Sequence, residues 1–153
     1  MSKTGKYIYF AICYIFFIFA NIYTSNIIVE NLTNGFTLSN PVFSLNYVKN
    51  TGAAFSILQD SRELLIILAV TALVLLLLHV IHNIKSLSLK SCFFIALLSG
   101  GIAGNLHERI AYGYVRDYFH LNFVHFPVFN LSDILINIGV ISLIILILIK
   151  KTK

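Results

Sequence analysis

The sequence predicts a mainly α-helical integral membrane protein: four transmembrane helices with a small extracytoplasmic β/loop region over their outer ends. Two observations carry that expectation. Of 153 residues, 58% are hydrophobic and only 11% charged, with a mean hydropathy of +0.88; soluble domains run nearer to about 25% charged. The apolar residues also fall in long runs whose ends collect the charges. This length allows one membrane-embedded domain over 1–153, with little left for a separate soluble module. A net charge of +5 could suggest nucleic acid, but the basic residues sit at run ends and form no stripe, so no nucleic-acid partner is expected. Cys13 and Cys92 lie inside apolar runs, show neither metal spacing nor a disulfide framework, and read as small buried side chains.

The first span is expected over about 7–29. No charge interrupts Tyr7 to Val29, with Lys6 before the run and Glu30 after it. A helix needs about 20 residues to cross the hydrocarbon core. The run exceeds the ~7–15 apolar residues of a cleaved signal peptide, and no small-x-small cleavage site follows, so it reads as a retained span. The second span is expected over about 64–81 and the third, weaker, over about 91–106, with Lys90 snorkelling to the headgroups. The fourth is expected over about 134–149, ending at Lys150 and Lys151.

Charge placement gives the orientation. Lys3, Lys6, Lys85, Lys90, Lys150, Lys151 and Lys153 occupy the N-terminus, the short loop between spans two and three, and the C-terminus, with no acidic residue among them. The six acidic residues, Glu30, Asp60, Glu63, Glu108, Asp117 and Asp133, lie at or between the opposite ends of the spans. The positive-inside rule puts both termini in the cytoplasm, so 30–63 and 107–133 face outward together. Both outward segments are too apolar for solvated linkers. Phe43, Leu45 and Tyr47 alternate with Ser44 and Asn46, the period of a half-buried strand. The second segment carries Tyr112, Tyr114, Tyr118, Phe119, Phe123, Phe126 and Phe129, which read either as an interfacial aromatic belt or as a wall for an apolar substrate.

Asp117 and Asp133 are the candidate chemical groups. A carboxylate near hydrocarbon is costly and is usually paired or functional. If the fold brings the two together, repulsion and desolvation raise one pKa and leave a shared proton, which is the arrangement of an aspartic-protease dyad. One member can then activate a water while the other protonates the carbonyl or leaving amine. Taken alone, Asp133 reads first as a helix cap or first-turn residue, and Asp117 as a solvated side chain. Arg116 points to the other face of an extended segment and is a poor partner for Asp117. Gly100 and Gly104 fit a helix-packing GxxxG. Gly52, in a turn leaving the strand, permits positive φ, and Asn50 offers both a donor and an acceptor. His107, His120 and His125 lack the HExxH spacing of a zinc site, so no metal is expected.

In order along the chain, Asn50-Thr51-Gly52-Ala53-Ala54-Phe55, Gly101-Ile102-Ala103-Gly104-Asn105-Leu106-His107-Glu108-Arg109, Gly113-Tyr114-Val115-Arg116-Asp117-Tyr118 and Phe126 through Gly139 (FPVFNLSDILINIG) form four blocks. Together they resemble the lipoprotein signal peptidases, or type II signal peptidases. The likeness covers about residues 40 to 148, with matching span number and orientation.

That resemblance implies an aspartic endopeptidase of the bacterial cytoplasmic (inner) membrane, with its site at the extracytoplasmic face. Such enzymes cut the signal peptide from prolipoproteins, just before a cysteine that already carries diacylglycerol. It further implies Asp117 and Asp133 as the catalytic pair. Asn50, Gly52, Gly101, Asn105, Arg109 and Asn130 would line or brace the site and contact the substrate backbone. The expected partners are a lipid-modified prolipoprotein, membrane lipid and a globomycin-like cyclic peptide inhibitor. No cofactor is implied, and the chain is expected to act as a monomer. Asp133, close to a helix N-terminus, is the expected ionised partner, with Asp117 carrying the shared proton.

Departures leave a second reading open. The family's Asp-Gln-x-x-Lys stretch in the first span stands here as Asn21-Ile22-Tyr23-Thr24-Ser25, with both charges gone. Glu108 replaces the usual Asp before Arg109, Tyr118 the usual Phe, and Ser132 the usual Ala. The changes at Tyr118 and Ser132 read as harmless. The loss in span one admits a catalytically weakened paralogue that binds lipidated signal peptides without efficient cleavage. A small transporter or channel component is disfavoured, because the spans lack charged residues and the polar groups collect at one face.

Overall fold

The computed structural model describes residues 1–53 and 57–151. Ala54 and Phe55, part of the first family block, lie outside the described residues. The elements in order are α1 (Lys3–Thr33), β1 (Phe43–Asn50), α2 (Arg62–Asn83), α3 (Leu89–Tyr112), β2 (Val115–Leu121) and α4 (Leu131–Lys151). All four helices are long and apolar enough to cross a membrane, and each overruns its expected span. Ile12, Phe16 and Phe19 on α1, Ile67 and Leu75 on α2, and Ile141 and Ile145 on α4 are exposed at helical spacing. Lipid contact, not water, accounts for such faces.

Helix α3 is the hub, packed against α1, α2 and α4. Its weakness as an apolar run has a physical cause: half of its span faces protein, so its small and polar residues meet neighbours and not acyl chains. A Cβ at Gly100 would lie 2.5 Å from Phe17 Cβ on α1, and one at Gly101 would lie 2.7 Å from Ser132 O on α4. Both glycines therefore set how closely the helices approach. Helix α3 also continues past the expected end at 106 to Tyr112, which places His107, Glu108 and Arg109 on helix and not in a loop. It stops at Gly113, whose φ of +87° is left-handed and whose N–H bonds Arg109 O, the common glycine termination. Arg62 adds donors to the terminal carbonyls of Arg109 and Ile110, at 2.9 and 3.2 Å.

At the opposite end, Lys6 Nζ donates to the carbonyls of Ile84, Lys85 and Leu87, and Tyr7 Oη donates to Ile81 O. The start of α1 and the α2–α3 connection thus lie together, away from the strands.

The strand expected around Pro41–Val48 is β1, shifted to Phe43–Asn50, with Phe43, Leu45 and Tyr47 half-buried. It pairs antiparallel with β2, a strand formed within the aromatic outward segment. Phe43 faces Leu121, Val48 faces Asp117 and Asn50 faces Val115, with a bulge between Leu45 and Val48. Phe119 and Phe129 form a further antiparallel bridge, which ties the approach to α4 onto β2.

Candidate active site

Register and helical spacing assemble the site. Val48 and Asp117 are cross-strand partners, so Asn50, two residues along β1, lies on the same face and diagonal to Asp117. Its Nδ2 donates to Asp117 Oδ2 at 2.9 Å. Its Oδ1 accepts from the Gly52 N–H at 2.9 Å, which fixes the amide orientation. Gly101, Asn105 and Arg109 recur every fourth residue and form one stripe on α3. Gly101 supplies close approach to α4. Asn105 Nδ2 donates to Asp133 Oδ1 at 2.9 Å. Arg109 Nη2 donates to Gly52 O at 2.7 Å and Nη1 to Asn105 O at 3.3 Å.

Asn130 joins the two carboxylates. Its Oδ1 accepts from the Asp133 N–H at 3.1 Å, and Asp133 Oδ2 accepts from the Asn130 N–H at 3.1 Å. This reciprocal exchange across three residues is a capping box at the start of α4. Asp133 is thus both a first-turn capping residue and a wall of the site. The Asn130 Nδ2 group donates to Asp117 Oδ1 at 2.9 Å and to Asn105 Oδ1 at 3.0 Å. Each oxygen of Asp117 and Asp133 therefore accepts one amide hydrogen bond.

Asp117 and Asp133 line one cavity of about 920 Å³, with Asn50, Asn105 and Arg109 beside them and Val48, Phe126, Val128 and Ile138 among its apolar walls. Asn130, Gly52 and Gly101 stand behind this surface as braces. Burial pushes the Asp117 carboxyl up to about 7, helped by the charge of Asp133 and opposed by the hydrogen bonds from Asn50 and Asn130 and by Arg109. The aromatic segment divides. Phe126 and Phe129 line the cavity, Tyr118 is fully buried, and Tyr112 and Phe123 are exposed. Among the described residues no three His, Cys, Asp or Glu side chains gather as metal ligands.

Two sequence readings need correction. Gly52 does not use positive φ; its constraint is steric, since a Cβ there would lie 2.7 Å from Ile57 O. The replacements at Tyr118 and Ser132 are not isolated from those in span one. Asn21 Nδ2 donates to Ser132 Oγ, and Ser25 Oγ is 3.3 Å from Tyr118 Oη. Four of the five departures thus form two contacting pairs, and the fifth, Glu108, pairs with Arg116.

Arg116 is opposite Lys49 in the ladder and turns away from Asp117. Its Nε donates to Glu108 Oε2 at 2.6 Å and its Nη2 to Glu108 Oε1 at 2.5 Å. The guanidinium also meets Asn26 Oδ1 at 2.8 Å and lies 4.3 Å from the Tyr112 ring centroid. Both members of this pair are buried. Glu108→Ala should therefore destabilise the protein by about 3–5 kcal/mol, because it strands a buried cation. Thermal unfolding in detergent reads this, and Glu108→Asp should recover part of the loss.

The family model described as Signal peptidase (SPase) II matches residues 12–149. The lipoprotein signal peptidase of Streptococcus thermophilus (strain CNRZ 1066) is 41% identical over 105 residues, covering 69% of this chain and 68% of that protein. That of Clostridioides difficile (strain 630) is 34% identical over 128 residues, covering 82% and 85%. A bacterial membrane enzyme solved by the in meso method at 2.3 Å superposes with a TM-score of 0.81 at 26% identity, covering 93% of this chain and 88% of that one. With four spans, paired carboxylates at one end and similarity along almost the whole length, the chain belongs to the signal peptidase II family.

Proposed function

We propose that Asp117 and Asp133 are the catalytic pair with which this signal peptidase II, an aspartic endopeptidase, cleaves prolipoproteins. One observation carries the assignment: two carboxylates from different elements face the same cavity, each held by amide donors. The elevated pKa of Asp117 supports its holding the shared proton near neutral pH. Asp133 takes the ionised role in the first turn of α4, where the helix amides favour negative charge.

A water between the carboxylates gives a proton to Asp133 as its oxygen attacks the scissile carbonyl carbon, and Asp117 protonates the carbonyl oxygen. The resulting gem-diol collapses with cleavage of the C–N bond. Asp133 passes its proton to the leaving amine, and a gem-diol hydroxyl returns a proton to Asp117. Asn105 and Asn130 hold both carboxylates through this exchange. Arg109 anchors the turn at Gly52, beside the path of the substrate backbone.

The apolar wall formed by Val48, Leu121, Phe126, Val128, Ile134 and Ile138 suits a diacylglyceryl chain, in keeping with the cleavage just before a lipid-modified cysteine that the family implies. Lysines at the opposite end of the bundle support cytoplasmic termini and a cavity at the extracytoplasmic face. The same cavity is the site for a globomycin-like cyclic peptide, and the working unit is the monomer.

The test is cleavage of a diacylglyceryl-modified prolipoprotein beside its unmodified precursor. Cleavage of the modified form alone, blocked by globomycin, supports the reading, whereas binding without cleavage contradicts it. The pH profile adds a signed prediction. Asp117 must be protonated to act as the acid, and it loses that proton as pH rises through about 7. Above that point kcat/KM should fall by about tenfold per pH unit, since this ratio reports groups of the free enzyme.

A further inference from the structure

Helix α1 carries two polar residues at positions that face protein: Asn21 and Ser25, four residues apart on one face and both at least 97% buried by exposures of 2% and 3%. Neither lines the cavity. Each contacts the immediate neighbour of one carboxylate. Asn21 Nδ2 donates to the hydroxyl of Ser132, the residue before Asp133. Ser25 Oγ meets Tyr118 Oη at 3.3 Å, the residue after Asp117. The same Tyr118 hydroxyl accepts from the Leu131 N–H at 3.2 Å, which links β2 to the first turn of α4. Space for the first contact comes from Gly104, where a Cβ would overlap Asn21 and lie 2.6 Å from Ser132 Oγ.

We propose that Asn21 and Ser25 are positioning residues for peptide cleavage, which act through Ser132 and Tyr118 to hold Asp133 and Asp117 in register. This rests on those two carboxylates being the catalytic pair. The physical case has three parts. Neutral hydroxyls and amides satisfy one another here without importing a charge into a helix that crosses lipid, where an unpaired charge is costly. Such interhelical bonds persist because the hydrocarbon offers no competing partner. Small displacements of reacting groups have large kinetic effects, and α1 is the only helix that touches the flanks of both carboxylates without contributing to the cavity wall among the described residues.

The test compares Ser25→Ala, Tyr118→Phe, their combination and Ser25→Thr, each in the full chain reconstituted in lipid. Removal of either hydroxyl should lower kcat by about 10- to 100-fold, as expected for a misplaced catalytic group. KM and globomycin affinity should stay within about twofold, because the cavity wall is untouched. The double variant should be no slower than Tyr118→Phe, since that variant already loses the contact with Ser25 as well as the bond from the Leu131 N–H. Ser25→Thr, which restores the hydroxyl, should recover most of kcat.

Normal kcat in Ser25→Ala, or additive losses in the double variant, would overturn the inference. So would a loss of kcat that merely tracks the fraction of folded protein in thermal unfolding. An Asp117→Asn control separates the two levels. If it retains activity, the catalytic-pair reading fails. If it is inactive while Ser25→Ala is normal, only the positioning role fails.

Discussion

Asp117→Asn should reduce the turnover of a lipidated prolipoprotein by about 100- to 10,000-fold, the range for losing general acid–base catalysis. The substitution keeps the size of the side chain and removes the titrating proton. Asp117 is almost wholly buried, and its neighbours are amides whose orientation is set elsewhere: Asn50 by the Gly52 N–H, Asn130 by the Asp133 N–H. The cavity wall and the tie from Arg109 to Gly52 are unaffected. Inhibitor binding should therefore survive while kcat collapses, and the decline above about pH 7 should vanish from any residual rate. Steady-state kinetics with a globomycin binding isotherm checks both parts. Residual kcat within tenfold of the parent would remove Asp117 from the chemistry.

Asn130→Ala should have the second largest effect, because it damages fold and chemistry together. It removes the cap on α4, about 1 kcal/mol in typical helices. It also leaves the acceptor of Asn105 without its donor and frees one oxygen of Asp117. Buried polar groups left unpaired cost about 1–3 kcal/mol each, so a total loss of about 3–7 kcal/mol is expected on thermal unfolding. Activity should fall by about 100-fold or more even well below the melting transition, since Asp117 loses a donor and Asn105, which holds Asp133, loses the bond that orients it. Asn130→Asp separates the contributions. It retains an oxygen to cap the helix but sets a third carboxylate beside Asp117. Stability should then recover more than activity, and unchanged activity would show that Asn130 does not hold the pair.

The four helices were legible because lipid imposes length and apolarity on each, and β1 because half-buried Phe43, Leu45 and Tyr47 alternate with the polar Ser44 and Asn46. β2 was illegible for the opposite reason. Val115, Arg116, Asp117 and Tyr118 are all buried, with Asp117 turned to the cavity and Arg116 to Glu108, so no apolar–polar alternation marks the strand. The last turn of α3 was hidden likewise. His107, Glu108 and Arg109 look like a solvated loop, yet Glu108 and Arg109 face protein partners. The carboxylates stood out in sequence only as costly groups near hydrocarbon, and the four motif blocks were needed to pair them. The capping box that joins Asn130 to Asp133 is visible as local spacing, whereas its reach to Asp117 depends on the Phe119–Phe129 bridge. Asn21 and Ser25 read as losses because their partners, Ser132 and Tyr118, lie far away in the chain and meet only in the folded bundle.

The most direct test of the central claim is a single-turnover reaction in heavy-oxygen water, followed by intact mass spectrometry of enzyme and products. Direct attack by a water held between Asp117 and Asp133 predicts a released signal peptide with one heavy oxygen in its new carboxylate. It also predicts a lipoprotein that begins at the lipidated cysteine and an enzyme of unchanged mass throughout, with no products from either Asp→Asn variant. A peptide-modified enzyme trapped during turnover, or labelled product from Asp117→Asn at the parent rate, would contradict the account.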